Sequence, residues 1–144
     1  NMAILTSKVD VLRGWAPGND ACIDQSLAPT ASQTLVPGML VALQSDGTVG
    51  APAAASANWQ PLYFVVEGNS TNELDTNFVG KCLVIRGKLT VKTDQYVNSG
   101  LTVGSAVSVD NQGRIITVGA NYRVGFVLAN NNSVDGTITV ELDI

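Results

Sequence analysis

A hairpin with a glycine turn occurs twice in this chain, and that repetition limits what the chain can fold into. "VPGMLVALQSDGTV" at 36–49 lies without a gap over "TVGSAVSVDNQGRI" at 102–115. Gly38 meets Gly104, Val41 meets Val107, Leu43 meets Val109, Gly47 meets Gly113 and Val49 meets Ile115. In each copy an apolar strand leads to a polar turn, whose glycine supplies the positive φ a hairpin needs. The match continues: "YFVVEGN" (63–69) resembles "GFVLANN" (125–131), and "GKLTVKTD" (87–94) resembles "GTITVELD" (136–143). Three motifs in one order read as two copies of a unit, 35–94 and 101–144. One such unit exposes a sheet edge and half a core, whereas two can bury each other. The expected fold is therefore all-β, a small β-barrel or jelly-roll-like sandwich built from two similar hairpin units.

The remaining residues of 35–144 agree, and we read them as a single β domain. "GMLVAL" (38–43), "LYFVVEG" (62–68), "KCLVIRGKLTVKT" (81–93), "SAVSVD" (105–110), "RIITVG" (114–119), "VGFVLAN" (124–130) and "GTITVELDI" (136–144) are rich in Val, Ile, Leu and Thr. Gly, Asn, Asp or Pro bounds each of them, as it bounds strands. No helical period is sustained beyond two turns, and "PAAASANWQ" (52–60) reads as a loop. The first copy carries extra loops at 50–61 and 69–80, where function is readily added.

Residues 1–34 differ. Gly14, Pro17, Gly18 and Pro29 interrupt any period, which predicts an extended N-terminal arm with a short strand at 8–12. The arm still carries Val9, Val11, Leu12, Trp15, Ile23 and Leu27, so it is expected to lie on its own barrel or on a neighbouring subunit. Arg13, Trp15, Ile23 and Leu27 are the candidate partner contacts, with Trp15 as the anchor and Arg13 as a polar contact at its rim.

Composition removes whole classes of chemistry. The chain has no histidine, which excludes Ser-His-Asp and Cys-His catalysis and the common zinc sites. Cys22 and Cys82 have no CxxC spacing and are too few for a disulfide framework; they read as small buried hydrophobes of a protein made in a reducing cytoplasm. A net charge of −4 with eight Lys and Arg gives no footprint for nucleic acid. The loose basic set Lys81, Arg86, Lys88 and Lys92 reads as a solvated strand face. No apolar run reaches the roughly 18 residues of a membrane helix, and "NMAIL" lacks the charged and apolar regions of a secretory signal.

The carboxylates point the same way. Asp46, Asp110 and Asp135 sit in turns, where Asp is ordinary, and Glu67, Asp94, Glu141 and Asp143 sit at strand ends or on polar faces. "NELDTN" (72–77) offers Glu73, Asp75 and Asn77 at alternate positions but lacks the calcium-loop pattern. No cofactor, metal or catalytic residue is expected. Trp59, Tyr63, Tyr96 and Tyr122 would suit a sugar-stacking platform, and aromatics equally suit cores and interfaces.

The duplicated "PGMLVALQSDGTV" followed by "FVVEGN", then "LTVGSAVSVDNQGRI" with "GFVLANN" and a terminal "GTITVELDI", resembles the capsid decoration (cement) proteins of tailed bacteriophages. The similarity covers residues 35–144. It implies a non-enzymatic, structural subunit, often a homotrimer. Such a subunit is made in the host cytoplasm and bound to the outer face of an icosahedral head, where it links neighbouring major capsid proteins. Two alternatives stand beside it: a carbohydrate-binding β-sandwich module, resting on Tyr63 or Trp59, and a tail or fibre component of a virion.

Overall fold

The computed structural model describes residues 9–14, 22–53, 60–69 and 81–144, with only the backbone for 22–25. The fold is all-β, without an α-helix among the described residues. Its strands are β1 (Asp10–Arg13), β2 (Cys22–Leu27), β3 (Leu40–Leu43), β4 (Val49–Gly50), β5 (Leu62–Glu67), β6 (Cys82–Thr93), β7 (Ala106–Val109), β8 (Ile115–Thr117), β9 (Gly125–Asn131) and β10 (Thr137–Asp143). They form one antiparallel sheet, curled into a half-barrel, in the order β4-β3-β5-β6-β10-β9-β7-β8.

The 12-residue β6 is its centre. Its first half pairs with β2 (Cys22↔Gly87 to Leu27↔Cys82) and with β5 (Phe64↔Ile85, Val65↔Val84). Its second half pairs with β10 (Ile138↔Thr93 to Asp143↔Lys88) and with β1 (Asp10↔Lys92 to Arg13↔Thr90). The N-terminal segment thus supplies two strands to the chain's own sheet. The strand expected at 8–12 is observed as β1, while β2, in a segment expected to lack strands, is an addition.

The order of the strands on either side of the β6–β10 pair is mirrored in their bonding. Gly38 N donates to Val65 O (2.9 Å) and Val65 N to Met39 O (2.9 Å); Gly104 N donates to Val127 O (2.8 Å) and Val127 N to Ser105 O (2.9 Å). Gln44 N reaches Thr48 O and Asp110 N reaches Arg114 O, both at 2.8 Å, closing the two turns. Leu40 faces Phe64 as Ala106 faces Phe126, and Leu43 faces Val49 as Val109 faces Ile115. Pro29 bridges Val49 in parallel, and Tyr96 bridges Ile115 likewise. Each half also carries a bulge: Val66 is the extra residue between Val65 and Glu67, and Leu128 the extra residue between Val127 and Ala129.

Alternation explains which side chains are inside. In β10, Ile138, Val140 and Leu142 are buried while Glu141 and Asp143 lie towards solvent. In β5 every residue is buried, as the unbroken apolar run of a two-sided strand requires. Leu62, Phe64 and Val66 join the large core with Val107, Val127 and Ile138, whereas Tyr63 and Val65 join a second cluster with Leu35, Val41 and Val84. Fully burying an aliphatic or Phe side chain contributes about 1.5–3 kcal/mol. Asn69 pins the approach to β3: its Oδ1 accepts from Leu35 N (2.7 Å) and its Nδ2 donates to Gln33 O (2.9 Å).

Candidate interaction surfaces

β5 and β9 carry the same pattern of pairing and are covered differently. Phe64 is fully buried and its counterpart Phe126 is half-buried; Val66 is 2% exposed and its counterpart Leu128 39%. Leu40, buried, corresponds to half-buried Ala106, and buried Ile85 to half-buried Glu141. The outer face of β9 is therefore an open, partly apolar sheet face. Val103, 71% exposed, lies next to Gly104, whose N–H bonds Val127 O (2.8 Å). Monomeric surfaces seldom leave contiguous apolar area without a binding purpose.

Beside this face is a groove of about 300 Å³, lined by Lys88, Tyr122, Arg123, Phe126, Glu141 and Asp143 among others. Two cations and two carboxylates share it with two aromatic rings, which suits a polar ligand or a polar partner rim.

Of the predicted contacts, Arg13 lies on β1 and Ile23 and Leu27 lie on β2. Arg13 is exposed on β1 opposite Thr90, and Leu12 beside it is exposed as well. Leu27, opposite Cys82, is half-buried against the second core cluster, so it serves the fold. The backbone of Ile23 pairs with Arg86, and Trp15 lies outside the described residues. Residues 54–59, with Trp59, and residues 70–80, with the Glu73–Asn77 stretch, also lie outside them, so half of the loop at 50–61 and nearly all of that at 69–80 are not described.

Two members of the basic set, Arg86 and Lys92, are engaged within the protein. Arg86 Nε and Nη2 donate to Ile144 O (3.3 and 3.2 Å), and its guanidinium lies 5.3 Å from the centre of the Tyr63 ring. Lys92 Nζ bonds Asp135 Oδ2 at 3.0 Å. Asp135 is held below the ordinary carboxylate range, first by the Thr137 hydroxyl (2.6 Å) and then by Lys92. Asp46 is lowered too, chiefly by the Thr48 hydroxyl at 2.7 Å. Both bonds fix a turn. Tyr96 is raised, first by burial and then by Asp135 and Asp94.

One expectation is overturned. Tyr63 is 5% exposed, in the second core cluster, so it forms no part of a stacking platform. Its neighbours in β5 are apolar on both faces, which is why its ring is inside. Tyr122 is the exposed ring, at the groove. Cys82 is buried in the second core cluster. Among the described residues no three potential ligands gather for a metal, and no helix is long and apolar enough to cross a membrane.

Compared with protein-family models, with curated proteins and with solved structures, the chain matches none.

Proposed function

We propose that the chain is a structural, non-enzymatic decoration subunit on the outer face of an icosahedral phage head, where it links neighbouring major capsid subunits. It is synthesised in the host cytoplasm and works as a homotrimer. The fold that goes with this reading is a small barrel of two similar hairpin units, supported by the matched hydrogen bonds at Gly38 and Gly104. The observation that carries the reading is the open β9 face: an all-β subunit whose Phe126, Leu128 and Val103 are left for a protein partner. The exposed Leu12 and Arg13 on β1 give a second contact region.

The mechanism is multivalent. Each contact is modest, and joining copies in one oligomer converts later contacts into intramolecular ones, raising avidity by about 10²–10⁴. A repeated lattice is the partner that uses such multiplicity fully. Co-sedimentation with assembled shells tests this: saturable binding to shells, and none to unassembled capsid protein, is expected. Absence of binding to any assembled shell would overturn it.

The groove beside Tyr122 favours one second reading, a carbohydrate-binding module. It predicts saturable glycan binding that Tyr122→Ala abolishes, with shells left unbound.

A further inference from the structure

The groove beside β9 holds four charged side chains that the protein does not spend on one another. Lys88 and Asp143 stand directly opposite in the β6–β10 ladder, both exposed, so they share the outer face with Cβ atoms about 5 Å apart. A lysine side chain can close that gap, and the protein takes such chances elsewhere: Lys92 meets Asp135 and Arg114 meets Asp110, each at 3.0 Å. Among the described residues, Lys88, Arg123, Glu141 and Asp143 make no ion pair and no side-chain hydrogen bond. Opposite charges line one space without neutralising each other.

The ladder sets these groups in two rows. Across one end of the sheet run Lys88, Asp143 and then Val124, whose O accepts from Asp143 N (2.9 Å), with Arg123 next to it in the chain. One step along the outer face run Thr90, Glu141 and Phe126. Glu141 and Asp143 are two residues apart on β10, which separates the rows by about 7 Å. The first row sets two cations around one carboxylate and is net positive; the second has Glu141 beside an aromatic ring and is net negative. Two cations suit an acidic group, whereas a carboxylate beside a ring suits an ammonium group, by charge and by cation–π attraction. Tyr122, 45% exposed, adds a ring face at the groove for stacking.

We propose that this groove binds a zwitterion, its ammonium group in the row of Glu141 and Phe126 and its acidic group in the row of Lys88 and Arg123. A ligand of one sign would meet repulsion in one row, and a neutral ligand would leave both rows without partners. The inference rests on the carbohydrate reading of the groove for the frame that carries both groups, a sugar ring, and adds the charges that the ring bears. Substituents on opposite sides of such a ring span the distance between the rows, and a groove of about 300 Å³ takes one ring. Asp143, between the cations, then accepts from a ring hydroxyl.

Titration of the isotope-labelled full chain, followed by its amide NMR spectrum, tests this with four matched probes: glucose, glucosamine, glucuronic acid and glucosaminuronic acid, which carries both charges. Each charge is expected to tighten binding about threefold, so that the zwitterion binds about tenfold tighter than glucose. Glu141→Gln should erase the gain from the amine alone, and Arg123→Gln most of the gain from the carboxylate alone. A general loss of structure would not divide in that way, and the same spectra report the fold of each variant. Four sugars binding alike would overturn the inference and leave the carbohydrate reading intact. Glucuronic acid binding as tightly as the zwitterion would also overturn it, in favour of a plain anion site. If γ-aminobutyric acid, with both charges and no ring, binds as tightly as the zwitterionic sugar, the carbohydrate reading falls and the pairing of charges stands. No binding by any probe at millimolar concentration would overturn both.

Discussion

Val91 lies directly opposite Val140 in the β6–β10 ladder, and both side chains are fully buried. Directly opposed residues share a face with their Cβ atoms about 5 Å apart, so the two valines form one contact at the centre of the sheet. Val91→Ala and Val140→Ala are each expected to cost about 2 kcal/mol of unfolding free energy, by lost burial and by the cavity left behind. Because they share that cavity, the double variant should depart from additivity by about 0.5 kcal/mol or more. Urea denaturation of the four proteins checks this; strict additivity would mean that the pair does not pack.

The two turn glycines make a sharper comparison. Gly47 and Gly113 have φ of 85° and 79°, so an alanine at either pays the left-handed penalty of about 1–2 kcal/mol. Only at Gly113 does the added carbon also run into Leu40 O and Met39. Gly113→Ala should therefore lower the urea midpoint clearly more than Gly47→Ala. Equal losses would show that the turn is not seated on β3.

Asp46 and Asp135 set a pH dependence. Their carboxyls are held lower in the fold than in the unfolded chain. A depressed carboxylate stabilises above its unfolded pKa, and that contribution disappears as pH falls through the folded value. Stability should be level from pH 7 to about 5 and decline below about 4, near the unfolded carboxylate value. Asp135→Asn should flatten part of that decline in thermal unfolding measured across the range. An unchanged slope would remove Asp135 as a contributor.

Deleting residues 1–33 should destabilise the sheet rather than free it of an appendage. The deletion removes six ladder positions on β6 and three more from β1. It also removes Leu27 from the second cluster, and Ala28 and Thr30, whose backbones bond Val49 (3.0 and 2.8 Å). A fall in thermal midpoint of several degrees is expected, and an unchanged midpoint would place the segment outside the cooperative fold.

Much of the sheet was legible because its strands announce themselves in β-branched runs between turn residues. β3 and β5 to β10 fall within the runs read for them, to within a few residues. β2 was not legible: "CIDQSL" alternates poorly, and its extension comes from pairing with β6 rather than from its own preference. The open surface was hidden for a related reason. "YFVVEGN" and "GFVLANN" look alike, and only packing decides that Val66 is covered and Leu128 is not. Tyr63 misled for the same cause, since a ring in a strand says nothing of which side the core lies on.

β6 carries one more consequence. Ladder bonds run perpendicular to a strand, so a pull along β6 would load those to β2, β5, β10 and β1 in shear, together rather than one after another. A peeling force on a sheet edge breaks bonds singly and needs little. A tug between opposite ends of this strand would meet the resistance of four neighbours at once, making the middle of the molecule a tether that holds under tension where its rims would give.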